Sequence, residues 1–184
     1  MNVYDFDNTI YRGDSTTDFF KWCIKKYPLL SLRLIKGGTT FCVYKVKQCS
    51  KTHFKENLYR IFQYLPDIDN LVEEFWKSHS NNIKHWYLKN KKTDDVIISA
   101  SPEFLLLPIC NKLGISHLMA SRVDKDTGFY YGVNCYGAEK VRRFRERFDG
   151  EIDEFYSDSL SDEPLAKLAK RAYLVNGDIL TPWR

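Results

Sequence analysis

The apolar positions follow two different rhythms along the chain. Near the start, Val3, Tyr4 and Phe6 form a short run that favours a strand, and Asn8 favours a turn after it. Tyr11 to Asp14 reads as a loop, and Ser15 as the N-cap of a helix burying Phe19, Phe20, Cys23, Ile24 and Tyr27. Pro28 ends that helix and Gly37-Gly38 breaks the next segment. Phe54, Leu58, Ile61, Phe62 and Leu65 repeat the helical spacing until Pro66 stops it; Asp69 then caps a third helix carrying Leu71, Val72, Phe75 and Trp76.

From Asp94 the texture changes. Val96-Ile97-Ile98 is a β-branched run of the kind a parallel sheet buries on both faces, and Ser99-Ala100-Ser101 ends it. A helix over Phe104 to Leu113 closes at Gly114, and His117 to Ser121 is a weaker strand. Lys125 to Gly128 lies between two extended runs and predicts a β-hairpin within Arg122 to Tyr136. A charged helix follows from Gly137 to Phe148, then a strand over Glu154 to Tyr156, a helix from Pro164 to Arg171, and a last strand over Ala172 to Val175. Such alternation predicts an α/β fold with an open, Rossmann-like, mainly parallel sheet flanked by helices. Residues 1 to 14 and 91 to 184 would form its core, and residues 15 to 90 an inserted helical cap.

The 184 residues suit one domain with a sizeable insertion, and 43% hydrophobic with 28% charged residues is ordinary for a globular chain. Aromatic residues reach 15% and concentrate in the insertion, where a small helical core filled with large side chains is the first explanation. The net charge of +4 is spread along the chain, so no nucleic-acid partner is expected. Five cysteines without a C-x-x-C pair suggest buried thiols in a reducing compartment, and four histidines without H-x-x-x-H spacing suggest no zinc site. With a strand predicted to start almost at Met1, no signal peptide is expected before it. The apolar stretch from Pro28 to Val46 is interrupted by Arg33, Lys36 and Lys45, so no membrane span is expected and the chain reads as cytoplasmic.

In an open α/β sheet the ligand site lies beyond the carboxyl ends of the strands. Here those ends carry Asp5 and Asp7, Ser99, and Asp158 with Asp162 four residues on, while Lys140 starts the helix before the strand that delivers Asp158. Side chains two apart in a strand share a side, so Asp5 and Asp7 start out together, a costly pairing unless a cation or a proton intervenes. Carboxylate oxygens suit a hard cation such as Mg²⁺, and a lysine with a serine hydroxyl can hold a phosphoryl group. Each residue also has a plainer reading. Asp7 before Asn8 is compatible with turn chemistry, Ser99 or Ser101 with capping the helix near Pro102, Lys140 with the surface, and Asp162 with an N-cap.

Asp5-x-Asp7-x-Thr9, a serine closing a hydrophobic strand, a later lysine, and Asp158-x-x-x-Asp162 together resemble the haloacid-dehalogenase-like hydrolase superfamily. The helical insertion between the first two motifs is similar to the cap of its phosphoserine-phosphatase-like branch. The resemblance implies a Mg²⁺-dependent phosphatase acting on a small phosphorylated metabolite. Asp5 would be the nucleophile that forms an aspartyl-phosphate, and Asp7 the general acid and then base. Asp5, Asp158 and Asp7, through its backbone carbonyl, would hold the metal, with Asp162 behind it. Ser99, Ala100 and Lys140 would contact the phosphoryl, together with Thr9, which would also orient the loop and Asp7. Asn8 stands where many relatives have glycine, and Ser157-Asp158 replaces Gly-Asp. Asp14 lies near a glutamate used by phosphoserine phosphatases, but no cap arginine for a substrate carboxylate is evident, so serine specificity does not follow. Two alternatives stand beside this expectation. One is a lipid-phosphate phosphatase, phosphatidylglycerophosphate-like, docking through the aromatic and basic stretch from Tyr27 to Tyr44; the other is a non-catalytic module that binds a phosphorylated ligand.

Overall fold

A computed structural model describes residues 1–31, 55, 56 and 58–183. The glycine pair at 37 and 38, Phe54, and most of the apolar stretch read above lie outside the described residues. The chain builds a six-stranded sheet in the order β3-β2-β1-β4-β5-β6. Its strands are β1 (Asn2–Tyr4), β2 (Val96–Pro102), β3 (His117–Ser121), β4 (Ile152–Ser157), β5 (Ala169–Asn176) and β6 (Ile179–Pro182). The first five are parallel, and β6 returns antiparallel on β5. Because β1 is central, with β2 on one side and β4 on the other, strand order reverses at β1, the position at which such sheets open a crevice.

Alternation along the strands divides the core. Val3, Val96, Ile98 and Phe155 face one way and pack with Phe144 of α5 (Ala138–Arg147) and Leu165 of α6 (Glu163–Ala166). Tyr4, Ile97 and Tyr156 face the other way, towards Leu105 and Leu106 of α4 (Glu103–Leu113) and Tyr87 of α3 (His85–Asn90). The same cluster extends into the aromatic insertion. There, Phe19 and Phe20 of α1 (Ser15–Lys26) meet Phe75 of α2 (Ile68–His79) and Phe62 of a 3-10 turn (Arg60–Tyr64). Burying several such rings, at about 1.5–3 kcal/mol each, holds these helices together and onto the sheet as one continuous cluster.

Local details depart from the sequence reading. Asp14, not Ser15, caps α1 by accepting from the Thr17 amide at 2.7 Å, and Asp67, not Asp69, caps α2. The helix expected to reach Arg171 ends at Ala166, and β5 begins three residues earlier than predicted. The predicted hairpin is a short one: a single antiparallel bridge, Val123 to Tyr130, with Gly128 at φ +78°. Its tip lies against the insertion. Tyr130 donates its amide to Glu56 at 3.1 Å, Lys125 pairs with Asp69, and Tyr130 stacks on Tyr59. Among the described residues no helix is long and apolar enough to cross a membrane.

Candidate active site

The crevice forms where β1, β2 and β4 end. Asp5 follows β1 directly, its amide held by the Tyr156 carbonyl of β4 at 2.8 Å. Lys140, in the first turn of α5, is 2% exposed and reaches between two carboxylates. Its Nζ lies 2.7 Å from Asp5 Oδ1 and 2.7 Å from Asp162 Oδ2. Asp162 also accepts from the Ser157 hydroxyl at 2.8 Å, while its other oxygen is buried without a partner. Asp162 occupies the N-cap position of α6 but makes no capping bond, so Lys140 and the Ser157 hydroxyl fix its side chain.

Asp7 is held from two sides. The Ser15 amide, at the start of α1, donates to Oδ1 at 2.7 Å, and the Ser101 hydroxyl donates to Oδ2. A carboxylate at a helix N-terminus is favoured by the exposed amides there. Ser101 therefore does not cap α4, whose N-cap is Pro102; β2 runs through residue 102, so Ser99 and Ser101 emerge on one side of the strand. Ser99 accepts from the Ser101 amide at 3.1 Å and lines the crevice with Ala100. The Ala100 carbonyl accepts from Lys55 of the insertion at 3.1 Å.

Thr9 departs from expectation. It is fully buried, and its hydroxyl accepts the Asp158 amide at 3.0 Å, so it ties the two loops together from behind and does not line the crevice. Holding Asp7 falls to Ser15 and Ser101 instead. Asp5, Asp7, Ser99, Ala100, Lys140, Asp158 and Asp162 do share one cavity of about 350 Å³. Its walls also include residues outside the motifs, among them Thr16, Lys55, Tyr59 and Tyr136.

The carboxylates of Asp5, Asp7, Asp158 and Asp162 thus line the cavity with the buried Lys140 ammonium, which pairs with two of them, Asp5 and Asp162. Burial raises the pKa of Asp5 against the pull of Lys140, with Asp162 adding to the rise. Burial also raises Asp7, helped by Asp14 and opposed by the Ser101 and Ser15 bonds, and it raises Asp158. For Lys140, burial works against the charge, but Asp5 and Asp162 outweigh it and its pKa is raised. The surplus of negative charge is what a divalent cation would relieve. Among the described residues no group of three or more His, Cys, Asp or Glu side chains is disposed to hold a metal; the expected donor set needs two carboxylates and a backbone carbonyl, all oxygen, which suits Mg²⁺.

The haloacid dehalogenase-like hydrolase profile matches residues 3–167. A probable phosphatase of Mycobacterium tuberculosis is 37% identical over 93 residues, covering 46% of this chain; the match spans only 32% of that protein's length. A Bordetella pertussis protein of unknown function has a solved structure that superposes with a TM-score of 0.72 at 19% identity, covering 94% of this chain and 87% of its own. A phosphoserine phosphohydrolase-like protein from Francisella tularensis gives 0.55 at 19% identity, over 94% and 86% of the two chains. At such identities the structural likenesses speak to fold, and the fold is that of the phosphoserine-phosphatase-like members.

Proposed function

Because the chain belongs to the haloacid dehalogenase-like hydrolase family, we propose that it hydrolyses a small phosphomonoester through an aspartyl-phosphate on Asp5. A carboxylate oxygen of Asp5 attacks phosphorus, and the bond to the ester oxygen breaks. Asp7 gives its proton to the departing alkoxide. Asp7 then takes a proton from water, which attacks the acyl-phosphate phosphorus, releasing phosphate and restoring Asp5. Lys140 and Ser99, with Ala100 beside them, stabilise the charge on the transferring group. Mg²⁺, held by Asp5, Asp158 and the Asp7 carbonyl, would supply further neutralisation of that charge. The insertion over residues 15 to 90 acts as a cap on a core of residues 1 to 14 and 91 to 184, excluding water and selecting the substrate.

The observation that carries this reading is the Lys140 bridge to Asp5 and Asp162 at 2.7 Å each, in the cavity that also holds Asp7, Asp158 and Ser99. A mere binder of phosphate has no use for the second carboxylate at Asp7, held away from Lys140 by its own pair of donors. The test is turnover of an aryl phosphate with and without EDTA, beside Asp5→Asn. Activity is expected in Mg²⁺ and lost with EDTA or with the variant; an Asn variant as active as wild type would overturn the nucleophile assignment.

A further inference from the structure

Lys84 belongs to none of the motifs, yet it is 2% exposed and its ammonium is aimed at two backbone carbonyls. One is Asn8, between Asp7 and Thr9; the other is Gly177 in the β5–β6 turn, at 2.5 Å. Lys84 arrives there because the chain is zipped to the first loop where the insertion rejoins the core. The Arg12 amide donates to Asn82 O at 2.8 Å, the Lys84 amide donates to Ile10 O at 2.8 Å, and Tyr11 bridges Ile83. A buried ammonium is costly unless its donors are well used, and these are aimed at oxygen atoms of two separate loops.

Support for the first loop matters to the site. Asn8 sits at φ +55°, the left-handed region that asparagine enters more readily than most residues with a side chain, and neighbouring bonds hold it there. Its amide donates to Gly13 O at 2.8 Å, which orients the peptide joining it to Asp7, and planarity then turns the Asp7 carbonyl the opposite way. Lys84 fixes the next peptide by its carbonyl, so the two peptide groups around Asn8 are pinned together. A cavity of about 500 Å³ lined by Asn8, Arg12, Lys84, Asp158 and Gly177 lies beside this loop, and at its wall the Lys84 ammonium joins Asn8 to Gly177.

We propose that Lys84 is a positioning residue for the proposed hydrolysis, its ammonium holding the Asn8 carbonyl so that the Asp7 backbone and side chain stay in register with Asp5. It touches neither substrate nor reacting atoms. The inference rests on the phosphatase reading, and the experiment keeps the two apart. Wild type, Lys84→Met and, as a control, Ile83→Ala are compared by aryl-phosphate kinetics, thermal melting and amide exchange of the peptide around Asn8. Ile83 is buried beside Lys84, so its truncation weakens the same junction while leaving the ammonium in place. Expected for Lys84→Met is a roughly 10- to 100-fold loss of kcat at unchanged KM, the scale of a small misplacement of catalytic groups. Faster exchange around Asn8 is expected with it, whereas Ile83→Ala melts earlier but keeps its kcat. Wild-type kcat and wild-type exchange in Lys84→Met overturn the proposal, as does a kcat that falls in both variants in step with stability. If wild type hydrolyses no phosphomonoester, the phosphatase reading has failed and the exchange comparison alone decides whether Lys84 holds the loop. Should Lys84→Met not fold, Lys84→Gln takes its place: its amide is shorter and uncharged, so a smaller loss of kcat together with faster exchange around Asn8 is expected, and wild-type values of both overturn the proposal.

Discussion

Gly128→Ala probes how the short hairpin is seated on the insertion. Gly128 lies at φ +78°, and a Cβ built there would fall 2.4 Å from the carbonyl carbon of Tyr59 and 2.6 Å from both Tyr59 O and Arg60 N. All three are backbone atoms, so no rotamer change relieves the clash. The left-handed conformation alone costs an L-residue about 1–2 kcal/mol, and overpacking adds about 1–3 kcal/mol, giving roughly 2–5 kcal/mol together. Gly114 provides the comparison: it closes α4 at φ +72° with nothing within 4 Å of the added carbon, so Gly114→Ala carries the conformational cost alone. Urea denaturation of the two variants isolates the contact as their difference, expected at about 1–3 kcal/mol. Tyr59 and Lys55 line the crevice, so moving this segment also raises KM for the aryl phosphate in Gly128→Ala and not in Gly114→Ala. Equal stability losses in the two variants would refute the reasoning, since the hairpin would then not be pressed against the Tyr59 backbone.

Three further outcomes follow from the same geometry. Lys140→Met leaves Asp5 and Asp162 buried without their cation and is expected to cost about 3–5 kcal/mol at pH 7.5 in EDTA; urea titrations at pH 5 should show a smaller cost, because the carboxylates can then take protons, and a cost that does not vary with pH would contradict the pairing. Asp95 is fully buried with one oxygen unpartnered, and burial raises its pKa to about 6 from the ordinary 3.8. A raised folded-state value means stability present below about pH 4 is lost as pH rises through about 6; Asp95→Asn should therefore gain about 2 kcal/mol over wild type between pH 4 and pH 7, read by melting, and a gain that is flat with pH would count against it. Ser101→Ala removes one of the two donors on Asp7 and is expected to lower kcat roughly tenfold, the scale of one hydrogen bond to a charged group, with KM held; an unchanged kcat would show that the Ser15 amide suffices.

Much of the core was legible because its apolar residues obey one rhythm at a time. Val96 to Ile98 is buried throughout, and the helix closed by Gly114 ends as glycine at φ +72° permits. Caps were harder, because Asp14 and Ser15, or Asp67 and Asp69, are chemically equivalent cap formers and only the path of the backbone chooses between them. The start of β5 falls inside the helix predicted over Pro164 to Arg171, where Leu165, Ala166, Leu168 and Ala169 are compatible with helical spacing; the strand begins there by pairing with β4, a tertiary choice. β6 was missed although Asn176-Gly177 is a hairpin signal, since all four of its residues are exposed and leave no alternation to see. Within the site, the period of two that set Asp5 beside Asp7 applies equally to Ser99 and Ser101, and would have drawn Ser101 away from a capping role. Lys84 had no such signal: its partners are carbonyls, which every residue has.

The most direct measurement is of the covalent intermediate. Wild type and Asp7→Asn are incubated with an aryl phosphate and Mg²⁺, quenched in acid, and mapped by peptide mass spectrometry. Loss of the proposed base slows hydrolysis of the acyl-phosphate, so a phosphoryl group is expected on Asp5 and to accumulate in Asp7→Asn. Turnover by wild type with Asp5 unmodified in both proteins, or with the phosphoryl group on another residue, would contradict the account.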